Sequence, residues 1–147
     1  MNKVFELIDS QLPLTEKLQT ICQILTDEIG YFNWVGFYLV SEKKNTMVLG
    51  AFVGETTDHT EIPFGRGICG QVAVSKKTFL VPDVIQQDNY LSCNINVKAE
   101  IVIPIFDSKN EYVAQLDVDS HKLNPFTKED IDLLEEICSR IGKYFDI

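Results

Sequence analysis

Two amphipathic helix patterns lie near the ends of the sequence and enclose a series of β-rich segments. From Thr15 to Ile29, apolar side chains recur every three or four residues, which is the period of one helix face. Near the other end, Thr127 and Asp130 form the capping-box pattern of a helix start, and the same apolar period continues to Ile141. Because helices and strands must bury their apolar faces against one another, this order predicts an α+β fold.

The β-rich segments form two predicted hairpins. Their strands are Asn33–Ser41 and Thr46–Val53 around the turn EKKN, and Ile101–Phe106 and Glu111–Ser120 around the turn DSKN. A short helix is predicted over Cys69–Lys77, followed by a strand over Thr78–Val81. Pro104 has no backbone N–H for a ladder, so it predicts an edge or a bulge. We therefore expect one domain over residues 1–147, with a central antiparallel sheet and the N- and C-terminal helices on one of its faces.

Charge and cysteine content restrict the function classes. The net charge is −9 and the basic residues are scattered, so nucleic acid and anionic membranes are poor partners. No apolar run approaches the roughly 18 residues of a membrane span, and the N-terminus lacks a signal-peptide pattern. Four cysteines without a C-x-x-C motif do not resemble a secreted disulfide framework. These features predict a cytoplasmic protein with reduced thiols. No cofactor motif is present.

Two of the four cysteines are candidates for chemistry. Cys22 and Cys138 lie on the apolar stripes of the two helices, so they are expected to fill the core. Cys69 follows a glycine-rich turn at a predicted helix start, where free N–H groups and the helix dipole favour a thiolate. Cys93 lies in the long polar stretch Pro82–Ala99, which is typical of a functional loop. Cys69 and Cys93 therefore suggest a redox pair; a packed turn cysteine and an incidental loop cysteine are the alternatives.

Acidic and aromatic residues suggest a pocket on the predicted sheet. Glu100 precedes an apolar strand, and Asp117 and Asp119 alternate with apolar residues, so both aspartates point to one face. Two like charges on one face are costly unless they bind a cation or share a proton; solvated acids on an exposed face are the alternative. Trp34 and Tyr38 share a strand face and would give an aromatic wall, although a plain core role suits Trp34 equally well.

A metal site is not predicted. His59, Cys69, Cys93 and His121 have the residue types of a Cys₂His₂ zinc site, but their spacing matches no finger or ribbon pattern.

Taken together, the motifs NWVGFYL, IPFGRGICG, LVPDV, SCN, EIVIPI and LDVDS resemble those of the GAF-domain free methionine-(R)-sulfoxide reductases. The resemblance covers nearly the whole chain, in the family's order and close to its spacing. It implies a GAF fold and the reduction of free L-methionine-(R)-sulfoxide by thiol chemistry, with thioredoxin or a similar dithiol as the reductant. It also implies a homodimer, because members of the family are often dimers.

By this resemblance, Cys93 corresponds to the family's catalytic cysteine and Cys69 to a partner cysteine. Family members typically carry a third, resolving cysteine ten residues before the one at Cys69, and His59 occupies that position here. The resemblance therefore assigns the resolving step to Cys69. The alternatives are a GAF module that binds and senses a small ligand without turnover, and a structural domain with incidental thiols.

The resemblance also assigns the pocket. Glu100, Asp117 and Asp119 correspond to the acidic residues that line the family's substrate pocket, and one protonated carboxyl among them would donate to the sulfoxide oxygen. Trp34 and Tyr38 correspond to residues expected to flank the substrate's methyl group.

Overall fold

The computed structural model describes residues 2–86 and 96–146. The α-helices within these ranges are Asn2–Ile8 (α1), Leu14–Glu28 (α2), Gly67–Ser75 (α3) and Lys128–Ile141 (α4). The strands are Trp34–Val40 (β1), Thr46–Val53 (β2), Glu61–Pro63 (β3), Phe79–Val81 (β4), Ala99–Phe106 (β5) and Tyr112–Ser120 (β6). Short 3-10 helices follow at Val84–Gln86 and Gly142–Phe145. Among the described helices, none has the length and apolar content that crossing a membrane requires.

The strands form one sheet in the order β3-β2-β1-β6-β5-β4, and the described pairs are all antiparallel. The long strands β1 and β6 lie at its centre. The β5 strand pairs with β6 from Ala99 to Phe106, but the short β4 reaches only as far as Val102. Pro104 lies beyond that last pair, so no β4 strand requires its missing N–H, and a register shift follows at Ile105.

One face of the sheet carries α1, α2 and α4 over the larger hydrophobic core. The sequence predicted this arrangement of the terminal helices, and it is confirmed. Cys22 and Cys138 are buried in that core, as their helical stripes predicted. The predicted capping box at the start of α4 is also present, because Thr127 Oγ1 accepts from the Asp130 N–H and Asp130 accepts from the Thr127 N–H.

The opposite face is covered by α3 and contains a second, smaller cluster of buried side chains. Trp34 and Tyr38 of β1, Val102 of β5 and Cys69 of α3 all belong to this cluster. The sheet therefore has the larger core and the helices α1, α2 and α4 on one side. The smaller cluster, between α3 and the central strands, lies on the other side.

Several element bounds differ from the sequence prediction. The α3 helix runs from Gly67 to Ser75 rather than over Cys69–Lys77, because Lys76 adopts the left-handed conformation with φ 61° and ends it. The helix α1 and the three-residue strand β3 were not predicted.

The described residues of the predicted irregular stretch Pro82–Ala99 include regular structure. Val84 begins a 3-10 helix, its N–H donates to the Lys98 carbonyl, and Ala99 already belongs to β5. Cys93 lies outside the described residues.

Candidate active site

Three acidic side chains meet on the α3 face of the sheet because of the strand register. Glu100 of β5 lies directly opposite Asp119 of β6, and Asp117 lies two residues further along β6 on the same face. Glu100 is 5% exposed and each aspartate 2% exposed. The sequence prediction that the two aspartates share a face is confirmed. The alternative of solvated acids on an exposed surface is excluded.

Helix α3 brings Cys69 onto this acidic cluster, which we define as Glu100, Asp117 and Asp119. The Cys69 Sγ lies 3.4 Å from Asp117 Oδ2 and 3.9 Å from Glu100 Oε2, and the side chain is 6% exposed. The first distance is that of a thiol donating to a carboxylate oxygen. A sulfur and three carboxyl groups from three elements therefore form one buried group.

Burial and mutual repulsion set the protonation of the acidic cluster. Burial raises the pKa of Glu100 well above its usual range, and the nearby Asp117 and Asp119 raise it further. The pKa of Asp119 is raised well above its usual range by burial and by Asp117. Burial raises the pKa of Asp117 as well, although hydrogen bonds with Glu100 and Cys69 oppose this rise. The acidic cluster thus keeps protons at a pH where exposed carboxyls have lost theirs.

The same surroundings correct the expectation of a Cys69 thiolate. Cys69 does lie in the first turn of α3, as predicted, but burial raises the pKa of its thiol well above the ordinary value. Repulsion between a thiolate and the carboxylates of Asp117 and Glu100 raises it further. Burial and the acids outweigh the helix dipole, so Cys69 rests as a thiol.

Two oxygen atoms of the acidic cluster accept no hydrogen bond from the described residues. Asp117 Oδ1 and Asp119 Oδ1 are buried and have no hydrogen-bond partner among the described residues. Buried acceptors without donors are costly, so they point to a ligand that supplies N–H or O–H groups.

Among the described residues, three side chains of this site lie close enough together to hold a metal ion. The ligand atoms of Cys69, Glu100 and Asp117 all lie within 4.8 Å of one another. Such a group can accommodate a small cation, and an ammonium group meets the same electrostatic requirement. His59 and His121, which have the residue type of zinc ligands, are not part of this group.

A cavity opens beside the Cys69 thiol. Cys69, Glu100 and Asp117 line one side of it, and Tyr38, His59 and two isoleucines, Ile62 and Ile68, complete the described lining. The cavity is small in this structure, at about 10 Å³, and its described lining combines acidic, apolar and aromatic surfaces.

The two predicted aromatic residues lie one behind the other. Tyr38 lines the cavity, and the Trp34 ring stacks on it with centroids 6.4 Å apart. Both are buried, and the Trp34 Nε1–H donates to the Glu55 carbonyl at 3.0 Å. The Trp34 ring lies over Gly36, where an added Cβ would come within 2.4 Å of it. Trp34 therefore holds the Tyr38 ring in place at the cavity wall, and it also packs in the smaller hydrophobic cluster.

Some residues of the site were not predicted from the sequence as part of the pocket. His59 was noted as a replaced cysteine and as a zinc candidate, not as a cavity residue. Gln115 lies opposite Tyr38, is fully buried, and has an Nε2 group without a partner among the described residues. Gly36, a glycine inside a strand, is a signal of close approach that the sequence does carry.

Comparison with known proteins agrees with this architecture. A family model described as GAF domain matches residues 11–146. The free methionine-R-sulfoxide reductase of Escherichia coli is 33% identical over 120 residues, which are 82% of this chain and 70% of that protein. The chain belongs to the GAF-domain family of free methionine-(R)-sulfoxide reductases. The GAF fold expected from the sequence is thereby confirmed.

Two further relatives extend the comparison. The free methionine-R-sulfoxide reductase of Saccharomyces cerevisiae is 35% identical to this GAF domain over 112 residues. That match covers 76% of this chain and 62% of the yeast protein, so the chain spans less than two thirds of that relative. The structure of the Neisseria meningitidis free methionine-R-sulfoxide reductase in complex with its substrate superposes with a TM-score of 0.90 at 33% identity, covering 98% of this chain and 84% of that one.

Proposed function

We propose that this GAF domain reduces free L-methionine-(R)-sulfoxide to methionine. The observation that carries the proposal is the contact between the Cys69 thiol and a buried, proton-holding acidic cluster beside a cavity. Sulfoxide reduction requires these components, because the oxygen must be protonated as it leaves the methionine sulfur and thiols must supply two electrons. Membership in the reductase family supports the same assignment.

In the first step, Cys93 acts as the nucleophile. Its thiolate attacks the sulfoxide sulfur while a protonated carboxyl of the acidic cluster donates its proton to the sulfoxide oxygen. The oxygen passes to the Cys93 sulfur, methionine is released, and Cys93 becomes a sulfenic acid. The methionine sulfur gains two electrons and the cysteine loses two. The role of Cys93 rests on the family resemblance, because this residue lies outside the described part of the chain.

In the second step, Cys69 resolves the sulfenic acid. A resting thiol with a raised pKa is a poor first nucleophile, but it can react once a base removes its proton. Asp117 Oδ2, at 3.4 Å from the Cys69 sulfur, is positioned to accept that proton. The Cys69 sulfur then attacks the Cys93 sulfur, and hydroxide leaves as water after gaining a proton. Thioredoxin or a similar dithiol reduces the resulting disulfide by exchange.

Substrate binding uses the remaining groups. An ionised carboxylate of the acidic cluster binds the substrate ammonium, and Tyr38, supported by Trp34, flanks the methyl group. The substrate is the free amino acid, as the family resemblance implies. The reducing cytoplasm is the compartment in which such a thiol pair turns over. We also propose a homodimer, which rests on the family resemblance alone.

The test is an assay of free L-methionine-(R)-sulfoxide with dithiothreitol and, separately, with thioredoxin. We expect activity with both reductants in the wild type. Cys93→Ser should abolish it, whereas Cys69→Ser should keep activity with dithiothreitol and lose at least about 10-fold with thioredoxin. Cys22→Ser, in the main core, is the matched control for thiol removal and should retain both activities.

Three outcomes would change the assignment. Activity that survives Cys93→Ser would contradict the mechanism. A wild type that is inactive with both reductants would favour a ligand-binding module. Good activity with dithiothreitol but poor activity with thioredoxin would place the defect in recycling. His59→Cys should then raise thioredoxin-dependent turnover at saturating substrate by returning the family's third thiol.

A further inference from the structure

His59 differs chemically from every other described residue of the cavity wall. Glu100 and Asp117 are acidic, Ile62 and Ile68 are apolar, and the Cys69 thiol already donates to Asp117. The Tyr38 hydroxyl donates to the His59 backbone carbonyl at 2.8 Å. His59 is thus the one basic residue in the described lining, and a histidine ring carries an N–H donor.

A free amino acid brings two opposite charges into this cavity. Its ammonium group is attracted to the acidic cluster, and its carboxylate is repelled by the same residues. A carboxylate removed from water must gain hydrogen bonds or it opposes binding. An acidic cavity that accepts a zwitterion therefore needs a donor at some distance from its acids.

The backbone of His59 is fixed at two points beside the cavity. Its carbonyl accepts from the buried Tyr38 hydroxyl, and its N–H donates to Thr57 Oγ1 at 3.0 Å. The residue is half-buried, so it is shielded enough for a charge-assisted hydrogen bond and open enough to meet a ligand. Tyr38 thereby couples the wall that flanks the substrate's methyl group to the position of His59.

We propose that His59 binds the carboxylate of the amino-acid substrate and so helps to select the free amino acid. This inference rests on the proposed function, and it gives the histidine at the third-cysteine position a role of its own. In this assignment the acidic cluster holds one end of the zwitterion and His59 holds the other. The residue acts in binding and takes no part in the redox steps.

The experiment compares two ligands that differ only at the carboxylate. Binding of L-methionine-(R)-sulfoxide and of the corresponding methioninol sulfoxide is measured by titration calorimetry on the reduced full chain, and KM and kcat are measured with dithiothreitol. For His59→Leu we expect affinity for the amino acid to fall about 10- to 100-fold, with KM rising and kcat nearly unchanged. Affinity for methioninol sulfoxide should change less than about 2-fold. His59→Gln keeps an N–H donor and should recover part of the loss, and His121→Gln, at the other histidine, is the control.

The outcomes separate this inference from the proposed function. If His59→Leu and His59→Gln lost affinity equally for both ligands, the carboxylate role would be overturned and the reductase assignment would stand. A loss confined to kcat would also overturn it, because that result would place His59 in the chemistry. If the wild type bound neither sulfoxide, the proposed function and this inference would fail together.

Discussion

At the scale of single residues, the buried acidic cluster makes the stability of the folded protein depend on pH. A carboxyl whose pKa is raised in the folded protein holds its proton more tightly there than in the unfolded chain. Its contribution to the free energy of unfolding is complete below the unfolded pKa of about 4 and is lost as the pH rises through the folded pKa. The buried acids should therefore make the protein less stable as the pH rises, opposite to the usual effect of paired carboxylates.

Glu100→Gln tests this sign. At pH 4.5 the variant and the wild type should have free energies of unfolding within about 0.5 kcal/mol, because a protonated glutamate resembles glutamine. At pH 8 the variant should be more stable by about 1–3 kcal/mol, and its reductase activity should fall at least about 100-fold. Denaturant titrations at both pH values give the measurement. Glu61→Gln, at an exposed position of strand β3, is the control and should change stability by less than about 0.5 kcal/mol.

A Glu100→Gln variant that lost stability at pH 8 would contradict the assignment. It would mean that the ionised glutamate is stabilised in the folded protein by a cationic or hydrogen-bonding partner.

At the scale of elements, α3 is the part that places the sulfur. The helix packs so closely on the turn before it that a Cβ at Gly70 would come within 2.7 Å of the Pro63 carbonyl oxygen and 3.0 Å of the Gly65 backbone. The Gly65 N–H also donates to the Gly70 carbonyl at 2.8 Å. Because Cys69 is the neighbour of Gly70, a shift of the helix moves the thiol away from the acidic cluster.

Gly70→Ala should therefore impair both stability and activity. We expect the free energy of unfolding to fall by about 1–3 kcal/mol and thioredoxin-dependent turnover to fall at least about 10-fold. Gly30→Ala is the matched control, because an added Cβ there meets nothing within 4 Å. Equal behaviour of the two variants in denaturant titrations and turnover assays would show that α3 does not depend on the close approach.

Local pattern explains which elements could be predicted from the sequence. The helices α2 and α4 and the strands β1, β2 and β6 were predicted within two residues at each end, because each carries its own period or a clear capping residue. The strand β3 has only three residues and exists through its pairing with β2, which no local signal shows. The left-handed Lys76 that ends α3 was equally hidden, because the conformation is rare for a lysine.

The site was predictable in its chemistry but not in its geometry. Alternation along one strand sufficed to put Asp117 and Asp119 on the same face. The approach of Cys69 to Asp117 and Glu100 joins residues 48 and 31 positions apart, and it depends on how α3 packs on the sheet. The state of the Cys69 thiol follows from that packing, so the sequence suggested a thiolate where burial favours a thiol.

At the scale of the whole molecule, the sheet separates the larger core from the proposed active site. The larger core joins the sheet to α1, α2 and α4, and the acidic cluster lies on the opposite face under α3. Strand β5 serves both, because its alternate residues face the two sides. A change in the larger core should therefore affect folding without altering the cavity.

Two buried aliphatic residues test this division. Ile137→Ala, in the larger core, should lower the free energy of unfolding by about 2–5 kcal/mol and leave kcat/KM at 15 °C within about 2-fold of wild type. Val102→Ala, beside Asp117 on the other face, should cost less stability and lower kcat/KM about 10-fold. The same effect on kcat/KM in both variants would show that the two faces are coupled.

The most direct measurement is a single turnover without added reductant. The reduced protein is mixed with excess L-methionine-(R)-sulfoxide, the methionine formed is counted, and the disulfides are mapped by mass spectrometry. We expect about one methionine per chain and a disulfide between Cys69 and Cys93. Neither product should form with the Cys93→Ser variant, or when the wild type is mixed with the S epimer of the substrate. A wild type that forms no methionine, or one whose disulfide excludes Cys69, would contradict the proposal that the buried thiol resolves a sulfoxide reduction carried out beside the acidic cluster.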